Sequence, residues 1–129
     1  MFTIAQIKAA HAKVKSGKDF PQYIQELIQL GVRSYHTYVS DGHTDYLGNG
    51  GYSIVSGPIY GPLAIAEVSD VAVFTIRLKA HQAGNTNYLT FCDDCAKAGV
   101  YKWVVDMADM TCTYFDQAGN TMLVERVPQ

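Results

Sequence analysis

An internal repeat limits what this chain can fold into more than any other feature of its sequence. Laying the second half over the first with a shift of 68 residues aligns Phe20 with Tyr88 and Gly31-Val32 with Gly99-Val100. The same shift aligns Tyr35 with Trp103, Asp41 with Asp109 and Tyr46 with Tyr114. Ahead of that block, a two-residue adjustment aligns Ala10-His11 with Ala80-His81. Identities are few, but aromatic positions and glycine stops keep their order. The unit is longer than the repeats of solenoids, which points to a fused duplication inside one domain spanning residues 1–129.

Each half reads as two helices followed by three strands. Thr3 and Gln6 form a capping box, and Ile4, Ile7, His11 and Val14 recur at helical spacing until Ser16-Gly17. Asp19 caps a second helix with Pro21 in its first turn, an apolar stripe of Phe20, Tyr23, Ile24, Leu27 and Ile28, and Gly31 at its end. The period then changes to two. Val32 to Ser40 and His43 to Leu47 form a hairpin about Asp41-Gly42, and Tyr52 to Val55 follow the turn Gly48-Asn49-Gly50-Gly51. Gly57 to Pro62 is a linker. The second unit repeats the order: a helix from Ser69-Asp70 to Gly84, a helix from Asn87 to Gly99, then strands 100–107, 110–115 and 121–127. The expected fold is α+β, two αα-βββ units (approximately 3–55 and 69–127) whose helices cover one face of an antiparallel sheet of about six strands.

Composition narrows function by exclusion. Ten Lys plus Arg against twelve Asp plus Glu give a net charge of -2, which disfavours a globally basic nucleic-acid binder. The N-terminal segment mixes Lys8, His11 and Lys13 into its apolar residues, so no signal-peptide core is expected there. No apolar run approaches the roughly 20 residues of a membrane span. Three cysteines, an odd number, do not close a disulfide framework. A cytoplasmic protein without a membrane partner is expected.

The stretches F-T-I-A-Q-I-K-A-A-H, F-C-D-D-C-A-K-A-G-V and K-W-V-V-D-M, with C-T-Y-F-D-Q-A-G-N after them, resemble a family of small uncharacterised bacterial and prophage-carried proteins. Some members carry the label "phage envelope protein". The resemblance runs from Phe2 to Pro128 and implies no activity, cofactor or catalytic residue.

Cys92-x-x-Cys95 has the spacing of a metal or redox pair, and Cys112 with His81 would complete four zinc ligands. The repeat argues for packing instead. Cys92 falls on Ile24, Cys95 on Leu27 and Cys112 on Thr44, positions of the core stripe and the inner sheet face. His11 and His81 occupy matching places on the apolar side of the first helix of each unit, where a structural histidine is the commoner case. No metal or other cofactor is expected.

The first hairpin offers the best candidate site. A two-residue turn pairs Ser40 with His43, Tyr38 with Asp45 and His36 with Leu47. His36, Tyr38, Ser40, His43 and Asp45 then share the face away from Tyr35, Thr37, Val39, Thr44 and Tyr46. Two imidazoles, a phenol and a carboxylate suffice for general acid–base chemistry or a weak metal site, whereas a solvated sheet face would need no function at all. Two readings stand. One is a non-enzymatic binding or accessory module for a protein or small molecule, using the open sheet face. The other is a small-molecule-binding protein or hydrolytic enzyme centred on His36, Tyr38, His43 and Asp45.

Overall fold

The structure, a computed structural model, describes residues 2–14 and 19–127. Thr3 opens the first helix, α1 (Ile4–His11), through the predicted capping box. Its hydroxyl accepts from the Gln6 N–H at 3.2 Å, while Gln6 Oε1 accepts from the Thr3 N–H at 2.9 Å. The helix ends before the predicted Ser16-Gly17 stop, which lies outside the described residues. Pro21 sits in the first turn of α2 (Phe20–Leu30), and Gly31 at φ 103 closes it. Asp19, the predicted cap, has helical dihedrals and not the extended geometry usual for that position.

Three strands follow: β1 (Val32–Tyr38), β2 (Thr44–Gly48) and β3 (Ser53–Ser56), with a 3-10 turn at Asn49–Gly51 before the third. Residues 57–70 form an irregular linker that leads to α3 (Val71–Gln82) and α4 (Tyr88–Lys97). Both helices start as predicted, with Asp70 accepting from the Val73 N–H and Asn87 from the Thr90 N–H. The chain closes with β4 (Lys102–Asp106), β5 (Thr111–Phe115) and β6 (Thr121–Arg126). All six strands lie in one antiparallel sheet of order β3-β2-β1-β4-β5-β6. The fold is α+β.

The order αα-βββ occurs twice, and the two inner hairpins share a register. Tyr35 pairs with Tyr46 as Trp103 pairs with Tyr114, and His36 with Asp45 as Val104 with Thr113. Where the halves meet, His36 of β1 faces Val104 of β4, its own counterpart under the 68-residue shift. Tyr35 and Thr37 face Val105 and Trp103 on either side, so the junction is symmetric about the His36–Val104 pair. The outer strands depart by one residue: Tyr46 meets Ile54, but Tyr114 meets Leu123, next to a bulge at Tyr114/Phe115.

The first hairpin differs from its predicted register. The structure pairs Tyr38 with His43, His36 with Asp45 and Ser34 with Leu47. A longer loop makes the difference. Gly42, at φ 78, donates to the Tyr38 carbonyl at 2.8 Å, and the Val39 N–H leaves the hairpin for Tyr101 O at 2.9 Å. The linker occupies what the loop leaves free: Leu63 N donates to Ser40 O at 2.6 Å and Ile59 N to Asp41 O at 2.9 Å. Ser40 therefore lies beyond β1 and does not join the predicted face. A slip of two residues keeps every other side chain on its predicted side.

The helices cover one face of the sheet. Tyr35, Thr37, Tyr46, Trp103, Val105, Cys112 and Tyr114 point into the core they close, against Ile24, Leu27, Phe74, Leu78 and Phe91. The alternate residues of each strand point to the other face.

Candidate functional site

That other face, formed by alternate residues of all six strands, is not covered by any described element. The strand register sets its rows. The central row runs Val55, Asp45, His36, Val104, Thr113, Val124 from β3 to β6. Beside it run His43, Tyr38, Lys102, Phe115 on one side and Leu47, Ser34, Asp106, Thr111, Arg126 on the other. Val55 and Val124 are 59% and 55% exposed, large values for valines in strands.

His36 is half-buried at the centre. Burial, and secondly the Lys102 ammonium, lower its pKa below 6.5, against a smaller opposing pull from Asp45. Its imidazole is therefore neutral at pH 7. Burial raises the Tyr38 phenol, and the Asp45 carboxylate beside it adds to the rise. His43 stacks on Tyr38 with ring centroids 4.4 Å apart and planes within 5°. Its Nδ1 lies 2.6 Å from Asp41 Oδ1, an oxygen that also accepts from the His43 N–H at 3.0 Å. These bonds to His43 hold the Asp41 carboxyl below its ordinary pKa. Tyr101 meets Tyr38 edge-on, and Lys102 Nζ lies 5.7 Å from the Tyr38 ring centre and 5.6 Å from that of Phe115.

Of the four predicted site residues, three line one depression. His36, Tyr38 and Asp45 surround it with Leu47, Ser53 and Val55, enclosing about 260 Å³. His43 does not line it; its ring is held between Asp41 and Tyr38. A neutral imidazole, a carboxylate and a phenol could move protons, but catalysis also needs walls that orient a substrate and exclude water. This depression is a dip in an open sheet.

Comparison with known proteins places the chain. Residues 8–126 match the family described as "Protein of unknown function (DUF1398)". The chain belongs to the DUF1398 family. It is similar to an uncharacterized protein of Mycobacterium bovis and to uncharacterized proteins from two strains of Mycobacterium tuberculosis, each 31% identical over 97 residues. The alignment covers 74% of this chain and 59% of each relative, so the match spans little more than half of the relatives' length. Among the described residues, no helix of this DUF1398 chain is long and apolar enough to cross a membrane.

The three cysteines of the DUF1398 core are free thiols. Cys92 and Cys95 are fully buried, as are Ile24 and Leu27 at the corresponding positions, and Cys112 is buried like its counterpart Thr44. Burial raises all three thiols, Cys112 to about 12, the reverse of the shift that makes a thiol nucleophilic or metal-binding. His81 stacks on Phe91 at 4.4 Å, with Nδ1 3.1 Å from Thr86 O. His11, predicted on the apolar side, is exposed; it meets Tyr23 edge-on at 5.2 Å. Tyr23 and Phe91 correspond under the 68-residue shift, so each unit sets a histidine against the same aromatic position. Among the described residues, no group of three or more His, Cys, Asp or Glu side chains is gathered for a metal ion.

The sequence places Val104 as the counterpart of His36 but assigns Lys102, Phe115 and Val124 no place on this face. A signal existed. Lys102 and Val104 flank Trp103, so a buried tryptophan forces both onto the opposite face, and the 68-residue shift makes them the counterparts of Ser34 and His36.

Proposed function

We propose that this domain is a non-enzymatic binding module whose contact surface is the open face of the sheet. The observation that carries the reading is the uncovered face itself. It presents Leu47, Val55, Val104, Phe115 and Val124 around a stacked Tyr38–His43 pair, whereas the opposite face is sealed by four helices. A two-layer α+β domain can leave one sheet face to water, but such a face is ordinarily polar. Aliphatic and aromatic side chains interleaved with a few charges are the composition of a protein contact surface. In this reading the chain acts in the cytoplasm as an accessory factor.

The test is a photoreactive amino acid placed at Val104, in the centre of the face, and at Ala9, on the exposed side of α1, in the producing cell. The module reading expects a discrete protein adduct from Val104 and none from Ala9. Adducts from neither position, or equal adducts from both, contradict it. The depression around His36, Tyr38 and Asp45 supports a second reading, a small-molecule site. A metabolite that raises the melting temperature, and ceases to do so in a folded Asp45→Ala variant, would favour that reading.

A further inference from the structure

We infer that the open face takes a second copy of this chain, packed sheet against sheet about a two-fold axis parallel to the strands. The inference rests on the contact-surface reading and adds the identity of the occupant.

The rows of the face carry two carboxylates, Asp45 and Asp106, and two cations, Lys102 and Arg126, with His36 neutral between them, and the Asp41 carboxylate lies at the rim beside His43. A face whose charges nearly balance suits neither a nucleic acid nor a strongly charged partner. Its layout suits itself. An axis running along the β1/β4 boundary sets β1 over the partner's β4, β2 over its β5 and β3 over its β6, with rows retained. Val55 then meets Val124 of the partner subunit, and Tyr38 meets Lys102 of the partner subunit. Asp45 meets the partner's Thr113, and Asp106 meets the partner's Ser34. No like charges lie directly opposite each other. The alternative axis, across the strands, brings Asp45 onto the partner's Asp45 and is disfavoured by that repulsion. Aligned sheets pack about 10 Å apart, which suits interleaved valine, tyrosine and lysine side chains.

The area sets the strength. Six strands spaced roughly 4.8 Å apart, each contributing about five residues, give a footprint on the order of 400 Å² per chain. Twice that is about 800 Å², below the ~1,200 Å² of stable interfaces, so the dimer is weak and reversible.

Sedimentation velocity and cross-linking test the inference. The mass should rise from monomer towards dimer across the micromolar range, and Val124→Asp should abolish the rise without lowering the melting temperature. Tagged Val55→Cys chains mixed with Val124→Cys chains and a short bismaleimide should yield mixed dimers several-fold above same-variant dimers. The native thiols are buried, so the introduced ones dominate the reaction. A constant monomer mass, or same-variant dimers in excess, overturns the inference. The contact-surface reading is judged separately, by whether Val104 yields a discrete protein adduct of any identity, so adducts to other proteins alone would uphold that reading and overturn this inference.

Discussion

At the residue scale, matching positions keep their burial while changing their chemistry. Ile24 and Leu27 become Cys92 and Cys95, and Thr44 becomes Cys112, with no loss of burial. The burial of the cysteines was legible because the 68-residue shift sets each beside a position on the apolar stripe or the inner sheet face. Their thiols should resist alkylation at pH 8 in the native state, and all three should react in denaturant. Each thiol holds its proton more firmly in the fold than the ordinary value of 9.0. That stability is fully present below about pH 9 and is lost as pH rises towards the folded values, about 12 for Cys112. Unfolding midpoints measured from pH 8 upwards should fall accordingly. His36 behaves oppositely. Its folded pKa lies below 6.5, so its contribution is present above pH 6.5 and is lost as pH falls through the lowered value. Thermal melts of His36→Gln should lie within about 0.5 kcal/mol of the parent at pH 8 and show a shallower loss of stability on acidification. A large loss at pH 8 would mean that the imidazole supports the core.

At the element scale, boundaries were less legible than elements. The capping box at Thr3, the caps at Asp70 and Asn87 and the glycine stop at Gly31 are local, and local chemistry is written in neighbouring residues. The first hairpin was misread because its turn is not local. The carbonyls of Ser40 and Asp41 bond to linker residues about twenty positions later, which draws the loop out and moves the register by two. The junction of β1 with β4 was invisible for a related reason, since no turn joins them. Gly31 and Gly99 correspond under the shift, and both have positive φ, but their surroundings differ. A Cβ on Gly31 would come no closer than 3.8 Å to Phe2, whereas one on Gly99 would lie 2.8 Å from the Ser69 backbone and 2.9 Å from the Val68 carbonyl. Gly31→Ala should cost about 1 kcal/mol, from backbone strain alone. Gly99→Ala should cost on the order of 3 kcal/mol, because the linker backbone must also move. Urea unfolding of the two variants measures the difference; equal costs would show that the linker yields freely.

At the scale of the whole molecule, six strands and helices on one face were foreseeable from period, caps and repeat. The candidate site was foreseeable only in part. His36, Tyr38 and Asp45 lie where strand alternation puts them, but the second half of the face depends on a strand order that the sequence does not state. With that order in place, Lys102, Val104, Phe115 and Val124 join the first hairpin in one surface. Val55 and Val124 sit at its two edges, and both are more than half exposed. Charges placed there should disturb binding and spare the fold. The most direct measurement is the yield of photo-crosslinked adduct from Val104 in the Val55→Asp/Val124→Asp double variant, read beside its melting curve. The contact-surface account predicts that the adduct disappears while the melting temperature stays close to that of the parent. Undiminished adduct from a folded double variant would contradict it.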